Sequence, residues 1–384
     1  MSTNSGIIRF STVAISEDAA VEDILRQAPD DGSFMVLFCS PRYSLNRVGA
    51  ALHRAGRRHV IGAQAGRVIG PQGVLVDGIA GFVLPSSRFV VGHRLIEDLA
   101  GFGPPDAREV VRSVRRRLEL SGTTLPYIFG MLLVDAEARC EERLIASLGI
   151  ELADVPIAGG SSGDVYFNPK GHEPRSPRIL YEGRALRNAA IFCLIATDSP
   201  VRALSHNHYI PGRRKVVITD ADPARRIVRE IDGRSALHAY AEACGLNGGT
   251  YSVGDFSPFP LMIRIGGQYF ARGIQRVHDD GSLEFACAME PGMVLTVAKS
   301  GDITERLRDM FASLTTEIGA PELIIGFECA ARFAYMEQKG LTAAVSDLLS
   351  DNSVVGFATL GEQYNTIHAN NSFTCLYLPA AKDE

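Results

Sequence analysis

Uninterrupted apolar runs set the strongest limit on how this chain can fold. Three of them span residues 34–39, 127–134 and 189–196. Each has the length of a β-strand, and a run without polar alternation is typical of a strand that is buried on both faces. Helical patterns lie between these runs, for example at 45–55 and 136–148. This alternation predicts an α/β (mixed α+β) fold in which mixed sheets are flanked by helices.

The length of 384 residues is enough for two or three domains. Beyond about residue 178, short strand patterns with turns predominate until Asp232-Gly233, and a helical pattern begins at Ser235. We therefore predict an N-terminal arm at 1–30, one domain at 31–234, a second at 235–378 and a tail at 379–384. The sequence shows no evident internal repeat and no low-complexity linker.

Charge, hydropathy and cysteine usage narrow the class of protein. The net charge of −5 argues against nucleic acid as a main partner, because such partners usually select a basic surface. The longest apolar run falls far short of the ~20 residues that cross a membrane, and the N-terminus lacks the pattern of a secretory signal. Seven scattered cysteines without a CxxC pair indicate reduced thiols. We expect a cytoplasmic protein with no membrane contact.

One glycine- and serine-rich segment follows a short apolar run and is the main candidate for a binding loop. Glycine permits left-handed backbone angles and close approach to another group. The serines and the acidic residue add hydroxyl groups and a carboxylate. We predict a close-approach loop that lines or braces a ligand pocket, with the candidate ligand-binding residues Gly159, Gly160, Ser161, Ser162, Gly163 and Asp164.

The same segment matches the G-x-S-x-G pattern of a hydrolase nucleophile elbow. That mechanism requires a helix directly after the serine, and the sequence after Ser161 runs toward Pro174 and Pro177 without a helical pattern. Cys329 is a second candidate nucleophile, since a thiol at the start of a helix can be activated. A serine or cysteine hydrolase is a minor alternative, and we expect a protein that is not an enzyme.

A histidine pair and an arginine near the start of a helix suggest two further binding groups. If His206 and His208 lie on one strand, their spacing places both imidazoles on one face, where either could bind haem iron. A solvated strand end is the alternative, and the remaining histidines show no ligand spacing. Arg332, one turn into a predicted helix, is expected to face a carboxylate such as Glu362 or a ligand. Cys329, Arg332 and Glu362 are therefore further candidate ligand-binding residues.

Several short segments occur in an order that resembles the FIST sensory proteins, which have an N-terminal and a C-terminal FIST domain. The resemblance covers about residues 30 to 378. It is carried by 62–66, 158–164, 217–219, 230–233, 279–283, 329–332 and 356–362. The first motif departs from the family pattern, because Gly62-Ala63-Gln64-Ala65-Gly66-Arg67 stands where G-C-[ST]-[ST]-[AG]-G-E is usual.

The resemblance implies a ligand-binding signalling module of two interleaved FIST domains. One branch, the NosP-type proteins, binds haem, senses nitric oxide and acts on a partner histidine kinase. Since the sequence shows no kinase or cyclase region, we expect contact with a separate histidine kinase or cyclic-dinucleotide enzyme; homo-oligomers are compatible. The leading hypothesis is a haem-based sensor of nitric oxide or another diatomic gas, with His208 before His206 as the iron ligand. The alternative is a haem-free sensor of a small carboxylate such as an amino acid.

Overall fold

The computed structural model describes residues 6–28, 32–152, 154–163 and 178–380. These residues form two compact units. Unit 1 contains the chain up to Ser205, then Met310–Ile367, and the chain from Phe373 onward. Unit 2 contains His206–Asp309 and His368–Ser372. In sequence, unit 2 is therefore an insertion into unit 1.

The helices of the described residues are short to medium in length. Among these residues, no helix combines the length and the apolar character needed to cross a membrane. The helices are α1 Glu17–Gln27, α2 Leu45–Arg54, α3 Pro104–Leu120, α4 Glu141–Leu152, α5 Ala236–Ala243, α6 Val253–Phe256, α7 Ile303–Ile318, α8 Ala330–Lys339 and α9 Thr342–Asp351.

The strands of the described residues are numbered in chain order. The first thirteen are β1 Ile8–Thr12, β2 Phe34–Cys39, β3 Val60–Gln64, β4 Val68–Gly70, β5 Gly73–Leu75, β6 Ile79–Leu84, β7 Phe89–Glu97, β8 Tyr127–Asp135, β9 Ile157–Ser162, β10 Ile179–Tyr181, β11 Arg184–Leu186, β12 Ala189–Thr197 and β13 Arg202–His206. The others are β14 Tyr209–Asp222, β15 Ile227–Ile231, β16 Arg234–Ser235, β17 Leu261–Ile265, β18 Gln268–Arg272, β19 Ile274–Val277, β20 Leu283–Phe285, β21 Val294–Ser300, β22 Pro321–Cys329, β23 Val354–Thr359, β24 Glu362–Tyr364, β25 Ile367–Ala369 and β26 Phe373–Pro379.

Unit 1 is built around three six-stranded sheets that share one topology. Their strand orders are β1-β6-β2-β3-β10-β11, β7-β12-β8-β9-β24-β25 and β13-β26-β22-β23-β4-β5. Each sheet has one parallel pair at its centre: β2 with β3, β8 with β9, and β22 with β23. Helices α2, α4 and α8–α9 form the crossovers of these pairs, as a parallel pair requires. Unit 1 therefore contains three copies of one βαβ-based module.

The modules complete one another's sheets by exchanging hairpins. After β3, the β4–β5 hairpin leaves the first sheet and pairs with β23 of the third. The β10–β11 hairpin that follows β9 pairs with β3 of the first sheet. The strand β24 that follows β23 pairs with β9 of the second. Because every sheet needs a strand pair from another module, no single module can satisfy its backbone hydrogen bonds alone.

The inner faces of the three sheets enclose one apolar core. Side chains from β2, β8 and β22 contact one another there, together with those of their neighbouring strands. The rings of Phe38 and Phe357 lie 4.9 Å apart, and Phe327 meets Phe357 edge-on at 5.7 Å. Helices α1 and α2 cover the outer face of the first sheet, and α3 and α4 cover that of the second. Burial on both sides explains why the strand sequences are continuous apolar runs.

Unit 2 has a different construction. Its strands form a sheet in the order β18-β17-β21-β14-β15-β20-β19, and β16 pairs with β15. The pairings described within this sheet are antiparallel. Helices α5 and α6 pack on one another through the stacked rings of Tyr240 and Phe256, whose centroids lie 4.6 Å apart.

The predicted fold class is confirmed, with helices and mixed sheets throughout unit 1. Two details of the sequence interpretation are wrong. The helix expected at 136–148 begins only at Glu141, because Arg139 adopts a left-handed backbone (φ 46°) that ends a 3₁₀ turn. The absence of a repeat is also wrong, since the modules repeat in topology while their side chains differ. The linear division into 31–234 and 235–378 stays a prediction.

One glycine in each module allows the two strands of the central parallel pair to approach each other closely, because it has no side chain. Gly62, Gly159 and Gly356 lie opposite Leu37, Leu132 and Gly326 on the neighbouring parallel strand. A Cβ atom at these glycines would lie 2.2, 2.2 and 1.7 Å from the carbonyl oxygen of that opposite residue. Only glycine fits, and the requirement is the same in all three modules.

We predict that Gly356→Ala lowers the free energy of unfolding by more than about 2 kcal/mol, because the new methyl group must displace the β22 backbone. Chemical denaturation followed by circular dichroism measures the change. The matched control is Gly101→Ala, since a Cβ there meets nothing within 4 Å. The control should change stability by less than about 0.5 kcal/mol. Equal effects of the two substitutions would contradict the packing role of Gly356.

Candidate functional site

The glycine-serine segment is a buried strand and not the predicted loop. Residues 157–162 form β9, which lies between β8 and β24 in the second sheet. Gly159, Gly160 and Gly163 are not among the residues with left-handed backbone angles. Glycine is needed at 160 because a Cβ would lie 2.5 Å from Thr359 and 2.7 Å from Phe327. Close approach was predicted correctly, but its partners are the protein's own side chains. Asp164 lies outside the described residues.

In each central parallel pair, the later strand (β3, β9 or β23) forms a backbone hydrogen bond near its end with a chain segment that lies outside the pair. The N–H groups of Gln64, Ser161 and Ala358 donate to the carbonyl oxygens of Arg178, Gly361 and Arg67 at 2.8, 2.9 and 2.9 Å. Ala65 and Gly163 form a further parallel bridge between β3 and the end of β9. Three of the seven segments that resemble family motifs, 62–66, 158–164 and 356–362, therefore contain the strand ends at which the modules join.

Ser161 is placed poorly for a nucleophile. It is completely buried, and its hydroxyl oxygen accepts a hydrogen bond from Gln363 Nε2 at 2.9 Å. Cys329 is the residue before α8 and is only 5% exposed, opposite Thr359 on the neighbouring strand. Neither side chain presents its reactive atom at an open surface, which disfavours the hydrolase alternative.

Arg332 contacts a carboxylate that the sequence interpretation did not name. Its Nε donates to Glu328 Oε1 at 2.5 Å, and both side chains are fully buried between β22 and α8. Burial raises the pKa of Glu328 to about 7, while the charge of Arg332 acts in the opposite direction. The predicted partner, Glu362, is also buried and accepts a hydrogen bond from the Thr359 hydroxyl at 2.5 Å. The carboxylate partner expected for Arg332 is therefore Glu328, which lies within the protein core.

His206 and His208 do not lie on one strand, so the face-sharing argument fails. Strand β13 ends at His206 and β14 begins only at Tyr209. His208 is completely buried, with its ring centroid 4.1 Å from that of Tyr209. The Nε2 atoms of both histidines are enclosed by protein. An axial ligand must present this nitrogen to iron, so the arrangement does not fit haem unless the surrounding side chains move.

A polar cluster of which only Ser162 was predicted from the sequence lies where the first and second sheets meet. We call Gln64, Asp135, Ser162 and Arg178 the strand-end cluster. Gln64 bonds to the backbone of Arg178, and Ser162 lies opposite Asp135 on the neighbouring parallel strand. Burial raises the pKa of Asp135, against N–H groups that donate to its carboxylate and the nearby charge of Arg178. The four residues are at most 5% exposed.

Two members of the strand-end cluster have unmet hydrogen-bonding capacity within the described part of the chain. The hydroxyl of Ser162 and the amide oxygen of Gln64 are buried without a hydrogen-bond partner there. Buried polar groups are normally paired, so such atoms indicate a missing partner such as water or a ligand. In open α/β sheets, ligands bind beyond the carboxyl ends of parallel strands, which is the position of this cluster.

The position of these residues at the ends of their strands is the sequence feature that could have located the cluster. Gln64, Asp135 and Ser162 each stand at the carboxyl end of a strand in a parallel pair. The apolar patterns predict the strands that end near Gln64 and Asp135, but residues 157–162 were interpreted as a loop, so the three last residues were not compared. Arg178 could not have been found in this way, because its place follows from the hairpin exchange.

We predict that Glu328 makes the protein less stable as pH rises. Its pKa of about 7 in the folded state lies above the ordinary glutamate value of 4.5, so the folded state holds an extra proton between these values. Stability from this group is complete below about pH 4.5 and decreases by up to about 3 kcal/mol as pH rises through 7. Denaturation curves from pH 4.5 to 8 measure the slope.

The comparison variant for this measurement is Glu328→Gln, which cannot titrate. His93 acts in the opposite direction, because burial lowers its pKa to about 4 and its contribution is lost as pH falls. The difference between wild type and variant therefore isolates Glu328. A difference that does not change between pH 4.5 and 8 would contradict the raised pKa.

Family models match most of this chain. The FIST N domain matches residues 33–234 and the FIST C domain matches residues 236–365. No curated protein matches the sequence. The point between the two matched ranges falls within unit 2, so each family domain includes part of unit 1 and part of unit 2. FIST domains are sensory and signalling domains, and this chain belongs to the FIST family.

Proposed function

We propose that this FIST protein senses a small zwitterionic or carboxylate ligand, such as an amino acid, at the strand-end cluster. The observation that carries the proposal is the pair of buried polar atoms, Ser162 Oγ and Gln64 Oε1, that lack a partner within the described residues. Both belong to side chains at the carboxyl ends of parallel strands, where α/β proteins bind ligands.

The chemistry of the cluster matches both ends of an amino acid. The guanidinium of Arg178 can bind a carboxylate in two-point fashion. The amide oxygen of Gln64 accepts hydrogen bonds from an ammonium group, and Asp135 at the end of β8 supplies a carboxylate. The hydroxyl of Ser162 can donate or accept. A ligand with one anionic and one cationic group uses all four side chains.

Arg332, the cation named by the sequence analysis, suits this role less well. Its guanidinium is fully buried and binds Glu328 at 2.5 Å. A ligand carboxylate would have to compete with a carboxylate that is already in place. Arg178 belongs to the strand-end cluster, and its charge lies near the Asp135 carboxylate. We therefore assign the recognition of the carboxylate to Arg178.

Binding at this point has a route to a signal. The cluster joins strand ends of two modules through the Gln64–Arg178 backbone bond and the Ala65–Gly163 bridge. A ligand that contacts both modules favours the arrangement in which they are closely joined, which shifts the population of conformations. We propose that a separate histidine kinase or cyclic-dinucleotide enzyme reads this change. Autophosphorylation of a candidate kinase, measured with and without the protein, tests that output.

Haem-based sensing of nitric oxide or another diatomic gas is the second candidate. It is favoured by one observation, the completely buried imidazole of His208 against the ring of Tyr209 in unit 2. An apolar, aromatic environment is what a haem pocket offers. Because the Nε2 atom is enclosed, this hypothesis requires unit 2 to open locally before a haem could bind.

For the primary proposal, we predict that at least one compound among the twenty amino acids and short-chain carboxylic acids raises the melting temperature of the protein. At a hundredfold excess over Kd, binding adds about 2.7 kcal/mol of stability, which corresponds to a rise of a few °C. Differential scanning fluorimetry measures the shift.

The variants for this test distinguish specific recognition of the ligand by Arg178 from a general effect of removing one positive charge. Arg178→Gln should abolish the shift, and Ser162→Ala should weaken binding about tenfold, the cost of one lost hydrogen bond to a charged group. Arg187→Gln is the matched control, since Arg187 and Arg178 both contact Glu137 but Arg187 lies at the protein surface. The proposal fails if no compound shifts the melting temperature, or if Arg178→Gln shifts as wild type does.

For the haem hypothesis, we expect reconstitution of the full chain with haem to give a Soret absorption band that His208→Ala removes or displaces. His238→Ala is the control, because His238 is an exposed residue of α5. The absence of a band in the wild type would reject haem binding. An unchanged band in His208→Ala would reject that histidine as the iron ligand.

A further inference from the structure

Three side chains that are distant in sequence converge near the start of β3. His59 immediately precedes this strand, His93 lies in the middle of β7, and Glu182 lies in the turn between β10 and β11. One potential ligand atom from each lies within 4.8 Å of the others. Neither histidine was assigned to a site from the sequence, because their spacing along the chain shows no ligand pattern.

The orientation of His93 is that of a metal ligand held by a second partner. Its Nδ1 lies 3.1 Å from the hydroxyl of Tyr181, and its Nε2 faces the Glu182 carboxylate at 3.9 Å. A metal-bound histidine typically has its other ring nitrogen fixed by a hydrogen bond in this manner. The ring of Phe34, with its centroid 5.2 Å away, packs against the imidazole and further limits its rotation.

A simple ion pair does not account for this arrangement. The 3.9 Å between His93 Nε2 and the Glu182 carboxylate is too long for a hydrogen bond. A metal ion placed between these two groups could be reached by both, together with the imidazole of His59.

We propose that His59, His93 and Glu182 bind one divalent transition-metal ion, with Zn²⁺ as the best match. Two imidazoles and one carboxylate are a common protein ligand set for zinc, with water in the fourth position. Ligand atoms of a tetrahedral zinc lie about 3.3 Å apart, given bond lengths of about 2.0–2.1 Å. The gap of up to 4.8 Å can close, because the side chains of His59 and Glu182 are exposed and can rotate.

The site has one opposing charge. Arg117 donates to the carbonyl oxygen of His93 at 2.7 Å, and its guanidinium lies near enough to influence the imidazole. This positive charge disfavours a cation, so the affinity depends strongly on the negative charge of Glu182. Imidazole ligands also favour Zn²⁺ over Mg²⁺, which prefers oxygen ligands.

Isothermal titration of the chelator-treated full chain with zinc chloride tests the proposal. We expect one equivalent of Zn²⁺ to bind, and a tenfold excess of Mg²⁺ to leave the titration unchanged. His59→Ala and Glu182→Gln should each weaken binding at least about tenfold, as loss of a ligand should cost no less than loss of a residue that positions one. Both residues are exposed, so these variants test binding without disturbing the core.

Two further variants complete the experiment. Tyr181→Phe removes the hydroxyl that holds His93 and should weaken Zn²⁺ binding about tenfold, although tyrosine is not itself a ligand. His238→Ala should bind Zn²⁺ as wild type does. Zn²⁺ should also raise the melting temperature of wild type and of His238→Ala, but not that of His59→Ala.

The proposal is overturned if wild type binds no Zn²⁺, or if Mg²⁺ displaces it. It is also overturned if His59→Ala and Glu182→Gln retain wild-type affinity, or if His238→Ala loses binding to the same extent. Because this site is separate from the strand-end cluster, an amino-acid response can fail while zinc binding holds, and the reverse.

Discussion

The close contact within each central parallel pair is the constraint on which unit 1 depends. Gly62, Gly159 and Gly356 bring the backbones of two neighbouring strands together where a single added methyl group would collide with a carbonyl oxygen. Each pair then accepts a hairpin from a different module, and helices cover its outer face. Because the hairpins are exchanged in a cycle, loss of one pair would remove the support of the next. The cooperativity of unit 1 follows from this connectivity.

The same arrangement brings polar groups into the interior. Three strands end at the junctions between modules, and their last residues cannot all reach water. Glu328 and Arg332 satisfy one another there, at the cost of two buried charges. Thr359 and Glu362 form another internal pair. The strand-end cluster differs, because Ser162 and Gln64 retain hydrogen-bonding atoms for which the described residues provide no partner. Buried polar atoms without a described partner also occur elsewhere in the protein, so the position of this cluster at the carboxyl ends of parallel strands is what distinguishes it.

The two candidate sites in unit 1 use the module boundaries in different ways. The strand-end cluster lies where parallel strands finish, and its Gln64 and Arg178 come from chain segments joined by hairpin exchange. The cluster of His59, His93 and Glu182 lies near the start of β3, where the β10–β11 turn returns to the first sheet. In both places, residues that are far apart in sequence meet because a hairpin crosses from one sheet to another. A FIST protein of this construction can therefore couple a bound ligand to the junctions that hold its modules together.

The sequence by itself determined the apolar strands, most helices and the fold class, because these depend on local apolar periodicity and on the burial of both sheet faces. It also identified the segments that carry the family resemblance. It could not show that residues 157–162 form a strand, since glycine and serine are weak strand formers and only the neighbours of Gly160 require its small size. The threefold repeat was hidden for a related reason: the modules share a topology and one glycine each, whereas their other side chains vary. Which residues meet was decided by tertiary structure. The partner of Arg332, the strand-end cluster and the histidine–glutamate cluster all depend on hairpin exchange or sheet packing, and no pattern along the chain records those long-range contacts.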